Sequence, residues 1–514
     1  MCARSCASST PNWPRESKVN ATPERNFAGR LVQRLGPNSC LIDAAAARAA
    51  GPEDLPRLIA AQGRALLAAG LRPGDRVLLG CSLAPASALA YLGAIHAGLV
   101  AVPVEERALT ASPAALLKAT GAKAVWTEAG FRGAGVDQSS ILLLRGNPAG
   151  EPPALTPPAA VRDSDLAALM ATSGSTGAPR FVMVSHGNLI ANTETIIRSQ
   201  QLAGDDRAML VLPLSYCFGA SLLHTHLYAG GGVVFDRRFM LPDHVLRAIA
   251  EHGCTTFAGV PTVYHVLLGR ANIGGIKLPS LRRLLQAGGR LTDGKINEMR
   301  AALPDAKFYV MYGQTEATAR ISCLEPERWE AKPGSVGRPL DNLTVRIVDE
   351  QGHHLPAGQT GHLWVQGPSI AAGYWNNPVE TERVFQNGWL RTGDLARQDE
   401  EGYLWIEGRQ ESFLKMRGRR VSFAEVEATV AAMKGVYECA TRAVEHAEAG
   451  EALQLFIVSQ QGASLGVEEV RRHLPPHWAL DSVHLVSELP KTPAGKIALA
   501  ALPNKAQSLH AVIG

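Results

Sequence analysis

The sequence predicts an α/β protein: a large N-terminal domain of two parallel or mixed sheets with helices, a small β-barrel-like subdomain completing it, and a small α+β C-terminal domain. Three observations predict this. Short apolar runs of strand length alternate with helical patterns before residue 336, as parallel sheets covered on both faces require. From about Val336 to Tyr403 the pattern changes to short strands separated by turns. A chain of 514 residues also exceeds what one hydrophobic core usually supports.

Taken in order, residues 1–40 are polar and proline-containing and are expected to form a poorly ordered tail. Its first ten residues lack the apolar stretch of a signal peptide. The large domain is expected over 41–410. Asp54 caps a helical pattern carried by Leu55, Leu58, Ile59, Leu66 and Leu67, which Gly70 stops. Val77 to Cys81 reads as a buried strand, Ala84 to Ala97 as a helix, and Val100 to Val104 as the next strand. Residues 133–164, rich in Pro, Gly and Ala, read as a loop-rich crossing. Strand signals resume at Ala208 to Leu212 and Gly232 to Phe235, then at Val345 to Val348 and His362 to Val365. A second domain is expected over 411–514, with a helix from Phe423 to Met433 and a strand at Leu453 to Val458.

Composition narrows the function classes. Hydrophobic residues at 46% and charged residues at 19% describe an ordinary soluble globular chain. A net charge of +4 is small for this length and argues against a nucleic-acid footprint. No run of apolar residues is long enough to span a membrane. The eight cysteines are scattered without a Cys-x-x-Cys pair, the pattern of reduced thiols in a cytoplasmic protein.

Three segments carry chemistry. Thr172, Ser173, Gly174, Ser175, Thr176 and Gly177 form a loop that closes on Pro179 and Arg180. Its glycines let backbone N–H groups turn inward, its hydroxyls add donors, and Arg180 adds positive charge, so it suits a polyphosphate. It is not the usual P-loop, because no Gly-Lys-Ser or Gly-Lys-Thr follows the glycines. Tyr312-Gly-Gln-Thr-Glu316 sets the hydroxyl of Thr315 beside the carboxylate of Glu316, which suits a phosphate and its magnesium. Arg391-Thr-Gly-Asp394 offers one carboxylate in a tight turn, suited to a ribose diol. Each is also the composition of a plain linker or turn; together, in this order, they read as an ATP site.

With these motifs the chain resembles the adenylate-forming superfamily of acyl-CoA synthetases, peptide-synthetase adenylation domains and luciferases. The resemblance runs from about residue 50 to about residue 500 and includes Gln286 to Leu291, Gly408-Arg409, Lys415 to Gly418 and Pro490 to Lys496. It implies that ATP, with magnesium, and a carboxylic acid give an acyl-adenylate and pyrophosphate. A thiol, of CoA or of a carrier-protein phosphopantetheine, then displaces AMP. It makes Lys496 the adenylation lysine, acting with Thr315 and Glu316. A cation placed where charge grows on the α-phosphate acts mainly in the transition state. The resemblance also places Gly288, Gly289 and Arg290 against the adenine with Tyr312 stacking on it. Asp394 and Arg409 go to the ribose, Thr172 and Thr176 to the phosphates, and Glu316 to the metal. It further implies a mobile C-terminal domain hinged at Glu411, with Lys415 and Gly418 on the thiol's path.

Two departures stand out. Arg180-Phe181 occupies the place of the family's Lys-Gly pair, keeping the charge in a bulkier, planar form. Glu411 occupies the place of the hinge aspartate. In the acyl pocket, peptide-synthetase domains carry an aromatic-Asp-x-Ser run whose carboxylate pairs with an ammonium; here the run is Phe218-Gly219-Ala220-Ser221. Tyr216, Phe218, Val260, Ala287, Gly288 and Met311 are expected to line an apolar pocket, with Gly219 leaving room for a chain or ring. That favours an aryl or fatty acid. His224 and His226 lack further ligands nearby in sequence and read as core or surface histidines. Three readings follow: a CoA ligase, a ligase that loads a carrier protein, and an ATP-binding regulator that has lost catalysis. Retention of Thr315, Glu316, Asp394 and Lys496 speaks against the third.

Overall fold

A computed structural model describes residues 20–502, apart from 47, 129–130, 132–140, 147–154, 173–179, 410–412, 417–418, 447–449, 461–464, 476–477, 479 and 492–496. Two large sheets dominate the N-terminal part. The six-stranded sheet runs in the order Leu142–Arg145, Ala124–Thr127, Arg76–Cys81, Val100–Glu105, Leu166–Thr172 and Arg180–Ser185, parallel except for its last, antiparallel pair. The nine-stranded sheet has a parallel centre, Lys307–Tyr312, Arg283–Gln286, Thr256–Gly259, Arg207–Leu210, Gly232–Phe235 and Leu41–Asp43, flanked by antiparallel edges.

Helices Pro85–His96 and Cys217–Tyr228 are buried around almost their whole circumference, as a helix covered on every side must be. They meet where Tyr91 stacks on His224, ring centroids 5.6 Å apart. A five-stranded antiparallel sheet follows, built from Thr344–Val348, Gly361–Gln366, Phe385–Gln386, Trp389–Gln398 and Leu404–Arg409. The last sheet has Gly450–Ser459 at its centre, antiparallel to Val436–His446 and parallel to Leu480–Val486. Helices Phe423–Ala431 and Val467–His473 accompany it, and Val426, Val430, Leu453, Ile457 and Val470 form a core drawn from residues 421–485 alone.

Two expectations are corrected. The tail does not extend to residue 40: Phe27–Arg34 is a helix, capped by the Asn26 side chain accepting from Gly29 N at 3.1 Å. Phe27 and Leu31 are fully buried, and Phe27 sits edge-on to His224 at 4.8 Å. The crossing 133–164 contains a strand, Leu142–Arg145, whose apolar run pairs with Ala124–Thr127. No helix among the described residues is long and apolar enough to cross a membrane.

Candidate active site

The motifs converge at the C-terminal ends of strands from both large sheets, where open α/β sheets bind ligands. Thr172 ends one strand and pairs directly, antiparallel, with Arg180 of the next. Ser173, Gly174, Ser175, Thr176 and Gly177 lie outside the described residues. Arg180 is already engaged: its guanidinium pairs with Glu380 and lies over the Tyr374 ring, 5.7 Å from the centroid. Glu380 also receives Arg383 at 2.8 Å, and its backbone N–H is capped by Asn377 Oδ1 at 3.2 Å. Sequence reading gave Arg180 to the phosphates alone and missed Glu380; the Asn377-Pro378 helix start was the one local signal for that carboxylate's position.

Glu316 stands on a single 3-10 turn, Thr315–Ala317, entered through Gly313. A Cβ at Gly313 would lie 1.9 Å from Ala319 O, so only glycine lets the chain fold back here. Thr315 is buried, its hydroxyl donating to Cys217 Sγ at 3.4 Å. The Glu316 carboxylate accepts from the Tyr374 hydroxyl at 2.7 Å. Burial, followed by the charge of Glu316, pushes the Tyr374 hydroxyl's ionisation upward, so it stays a donor that orients the carboxylate. No cluster of three or more His, Cys, Asp or Glu that could hold a metal occurs among the described residues. The single carboxylate of Glu316 fits magnesium, which takes one or two carboxylates and completes its octahedron with water and phosphate oxygens.

Of the residues expected at the nucleotide, Tyr312, Asp394 and Arg409 lie together. Tyr312, at the end of its strand, donates its hydroxyl to Asp394 Oδ2. Asp394 faces Arg409 across the neighbouring strand pair, with Arg409 Nε 3.5 Å from Asp394 Oδ1. Gly288 has a φ of +83° and follows the buried Ala287, and Gln286 Nε2 fastens this turn by donating to Gly289 O at 2.7 Å. Gly289 and Arg290 are exposed.

The acyl-pocket residues converge in part. A Cβ at Gly288 would lie 2.4 Å from Tyr216 Oη and 3.0 Å from Val260 Cγ1, so Tyr216, Val260 and Gly288 meet at one point. Phe218 lies edge-on to Tyr216 at 6.3 Å. Gly219 requires a correction: a Cβ there would stand 2.2 Å from Pro213 O and 2.9 Å from Leu212 O. It opens no space for a substrate but lets helix Cys217–Tyr228 press against the preceding backbone. Met311 is buried, and its sulfur receives Gln200 Nε2 at 3.2 Å and Arg320 Nη1 at 2.8 Å. Arg320 escaped sequence reading; an arginine four residues beyond Glu316 looks like any surface cation until the fold buries it.

His224 and His226 are core residues. His224 Nε2 bonds the Tyr91 hydroxyl at 3.1 Å, and burial pushes its pKa down to about 3. His226 Nδ1 meets Leu222 O at 3.0 Å. In the C-terminal part Glu411, Gly418 and Lys496 lie outside the described residues. Lys415 pairs through its backbone with Arg420 in a hairpin. Lys491 forms an antiparallel bridge with Ile497.

Residues 53–375 match the AMP-binding enzyme family and residues 425–496 match the AMP-binding enzyme C-terminal domain. A feruloyl-CoA synthase from Amycolatopsis sp is 32% identical over 459 residues, covering 86% of this chain and 91% of that protein. A 4-coumarate--CoA ligase-like protein from Oryza sativa subsp. japonica is 31% identical over 506 residues, 90% of this chain and 85% of the relative. The crystal structure of ATP-bound MatB from Rhodopseudomonas palustris superposes with a TM-score of 0.83 at 26% identity, covering 93% of this chain and 98% of that one.

Proposed function

This chain belongs to the AMP-binding enzyme family and is an acid–thiol ligase of the AMP-forming acyl-CoA synthetase type, and on that premise we propose the role of each site residue and the character of its acid. The reaction joins ATP and a carboxylic acid to give an acyl-adenylate and pyrophosphate, after which CoA displaces AMP. The acid's body is aryl or apolar. The convergence of Tyr216, Val260 and Gly288 at the end of the nine-stranded sheet is the observation that carries this reading. An α-amino acid would bury an ammonium there with no carboxylate from these residues to meet it.

The remaining roles follow from the chemistry of each group. Asp394, oriented by Tyr312 and faced by Arg409, accepts hydrogen bonds from the ribose diol. Glu316, held by Tyr374, is the magnesium ligand; when bound, that ion neutralises phosphate charge. Thr172 and Thr176 donate to phosphate oxygens, and Thr315 contributes its backbone and position to the same face. Lys496 supplies a point charge to the α-phosphate as the adenylate forms. The domain from Glu411 onward then turns to bring the Lys415 to Gly418 hairpin to the thiol. The cytoplasm is the compartment supported by six free cysteines among the described residues.

The test is pyrophosphate release over a panel of aryl, fatty and α-amino acids, repeated with CoA and with a phosphopantetheinylated carrier protein. Aryl or fatty acids should turn over best and CoA should yield the thioester. An amino acid favoured by tenfold would refute the pocket reading, and thioester formation on the carrier alone would replace CoA as acceptor.

A further inference from the structure

Arg320 is 2% exposed and stands on the segment between Glu316 and strand Ser322–Leu324. A guanidinium stays charged in any protein environment, so it needs a counter-charge or a full set of acceptors when buried. Among the described residues it has neither. Its guanidinium lies over the Phe218 ring at 4.8 Å, Nη1 donates to the Met311 sulfur at 2.8 Å, and Nε is buried with no acceptor among the described residues. A thioether is a weak acceptor, and a ring face, worth about 2 kcal/mol or more to a desolvated cation, supplies no counter-charge. No carboxylate pairs with Arg320 among the described residues. Its ionisable neighbours include Tyr216 and Cys323, which burial holds in their neutral forms. Compare Arg283, another largely buried arginine of this domain, which Asp206 neutralises at 2.6 Å.

The groups around this cation are the acyl-pocket residues themselves: Phe218 beneath it, Met311 beside it, Tyr216 in its field. A small cavity is lined by chain neighbours of these residues, among them Cys217, Ala220, Thr318 and Ala319. We propose that Arg320 receives a second anionic group of the substrate, a carboxylate at the end remote from the reacting one, so that the preferred acid is a dicarboxylic acid with an apolar body. This rests on the ligase reading above and deepens it. The acid is activated at one carboxylate and selected by the other. The guanidinium's planar fork matches a carboxylate bidentately, whereas a neutral hydroxyl would leave the buried charge uncompensated.

The experiment uses sets of acids that share one carbon skeleton and differ only at the remote end: methyl, hydroxymethyl or carboxylate. Pyrophosphate release by the unmodified protein should favour the carboxylate member by tenfold or more in kcat/KM. In Arg320→Met, which keeps length and removes charge, that ratio should fall to near one or below. A melting measurement without ATP decides the question independently of turnover: the dicarboxylate should stabilise the unmodified protein and not Arg320→Met. If the methyl or hydroxymethyl member matches or exceeds the carboxylate member in both measurements with the unmodified protein, the proposal is overturned, whether or not the variant folds. If no acid releases pyrophosphate while the melting preference for the dicarboxylate stands, it is the ligase reading that fails, and Arg320's role survives.

Discussion

Substituting Gly219 by alanine separates a packing glycine from a pocket glycine. The new methyl would stand 2.2 Å from Pro213 O and 2.9 Å from Leu212 O, where ordinary contact begins at 3.4 Å. Something must therefore move by about an ångström, and both obstacles are backbone carbonyls, not the ends of flexible side chains. Overpacking of this kind costs roughly 1–3 kcal/mol. Replacing glycine by alanine inside a helix returns about 1 kcal/mol. The net should be a loss of up to about 2 kcal/mol, which lowers the melting temperature by up to a few degrees. The assay is thermal unfolding followed by circular dichroism, with pyrophosphate release over the acid panel on the same preparation. Melting should drop while the rank order of acids stays the same. Unchanged melting, together with a shift toward shorter acids, would refute the packing argument and return Gly219 to the pocket.

Two further outcomes are expected at the phosphate end. Glu316→Gln should lower adenylation strongly and be partly rescued by raised magnesium, and unchanged kinetics at limiting magnesium would remove Glu316 from the metal site. Glu380→Gln takes away the carboxylate that pairs with Arg180, so the charge at the exit of the phosphate loop rises and KM for ATP should fall severalfold at low ionic strength; an unaltered KM across a salt series would show that Arg180 does not act on the phosphates.

Much of the fold was legible because its signals are local. The apolar runs at Val77 and Gly232 become strands within a residue of their expected limits. The helix after Pro85 is apolar enough all round to announce its burial. The N-terminal helix was hidden because Phe27 and Leu31 are two apolar residues in polar surroundings, and what orders them is contact with His224, nearly two hundred positions away. The same division runs through the site. Tyr312, Asp394 and Arg409 were readable from short motifs, and the fold brings them together. Tyr374 and Glu380 sit in no motif, yet they hold Glu316 and Arg180. Partners of this kind are chosen by tertiary proximity, which spacing along the chain does not encode.

Each cation near the site can be asked which anion neutralises it before any substrate arrives. Arg180 has Glu380, and Arg409 has Asp394 at 3.5 Å. Both can exchange those partners for phosphate or ribose oxygens with modest change in net solvation, because both are near water. Arg320 is deep, and no described carboxylate reaches it. The missing aspartate at position 219 then takes on a different meaning. Any side chain there would press on the carbonyls of Pro213 and Leu212, so the glycine is accounted for by backbone packing. Selectivity passes instead to the residue that the interior leaves electrostatically incomplete. An apolar pocket that merely preferred hydrophobic acids would gain from methionine or leucine at position 320, since removing a buried unpaired charge relieves its desolvation cost. Keeping arginine there makes sense if the ligand supplies the anion, and the wall of Tyr216, Phe218 and Val260 sets what lies between its two ends.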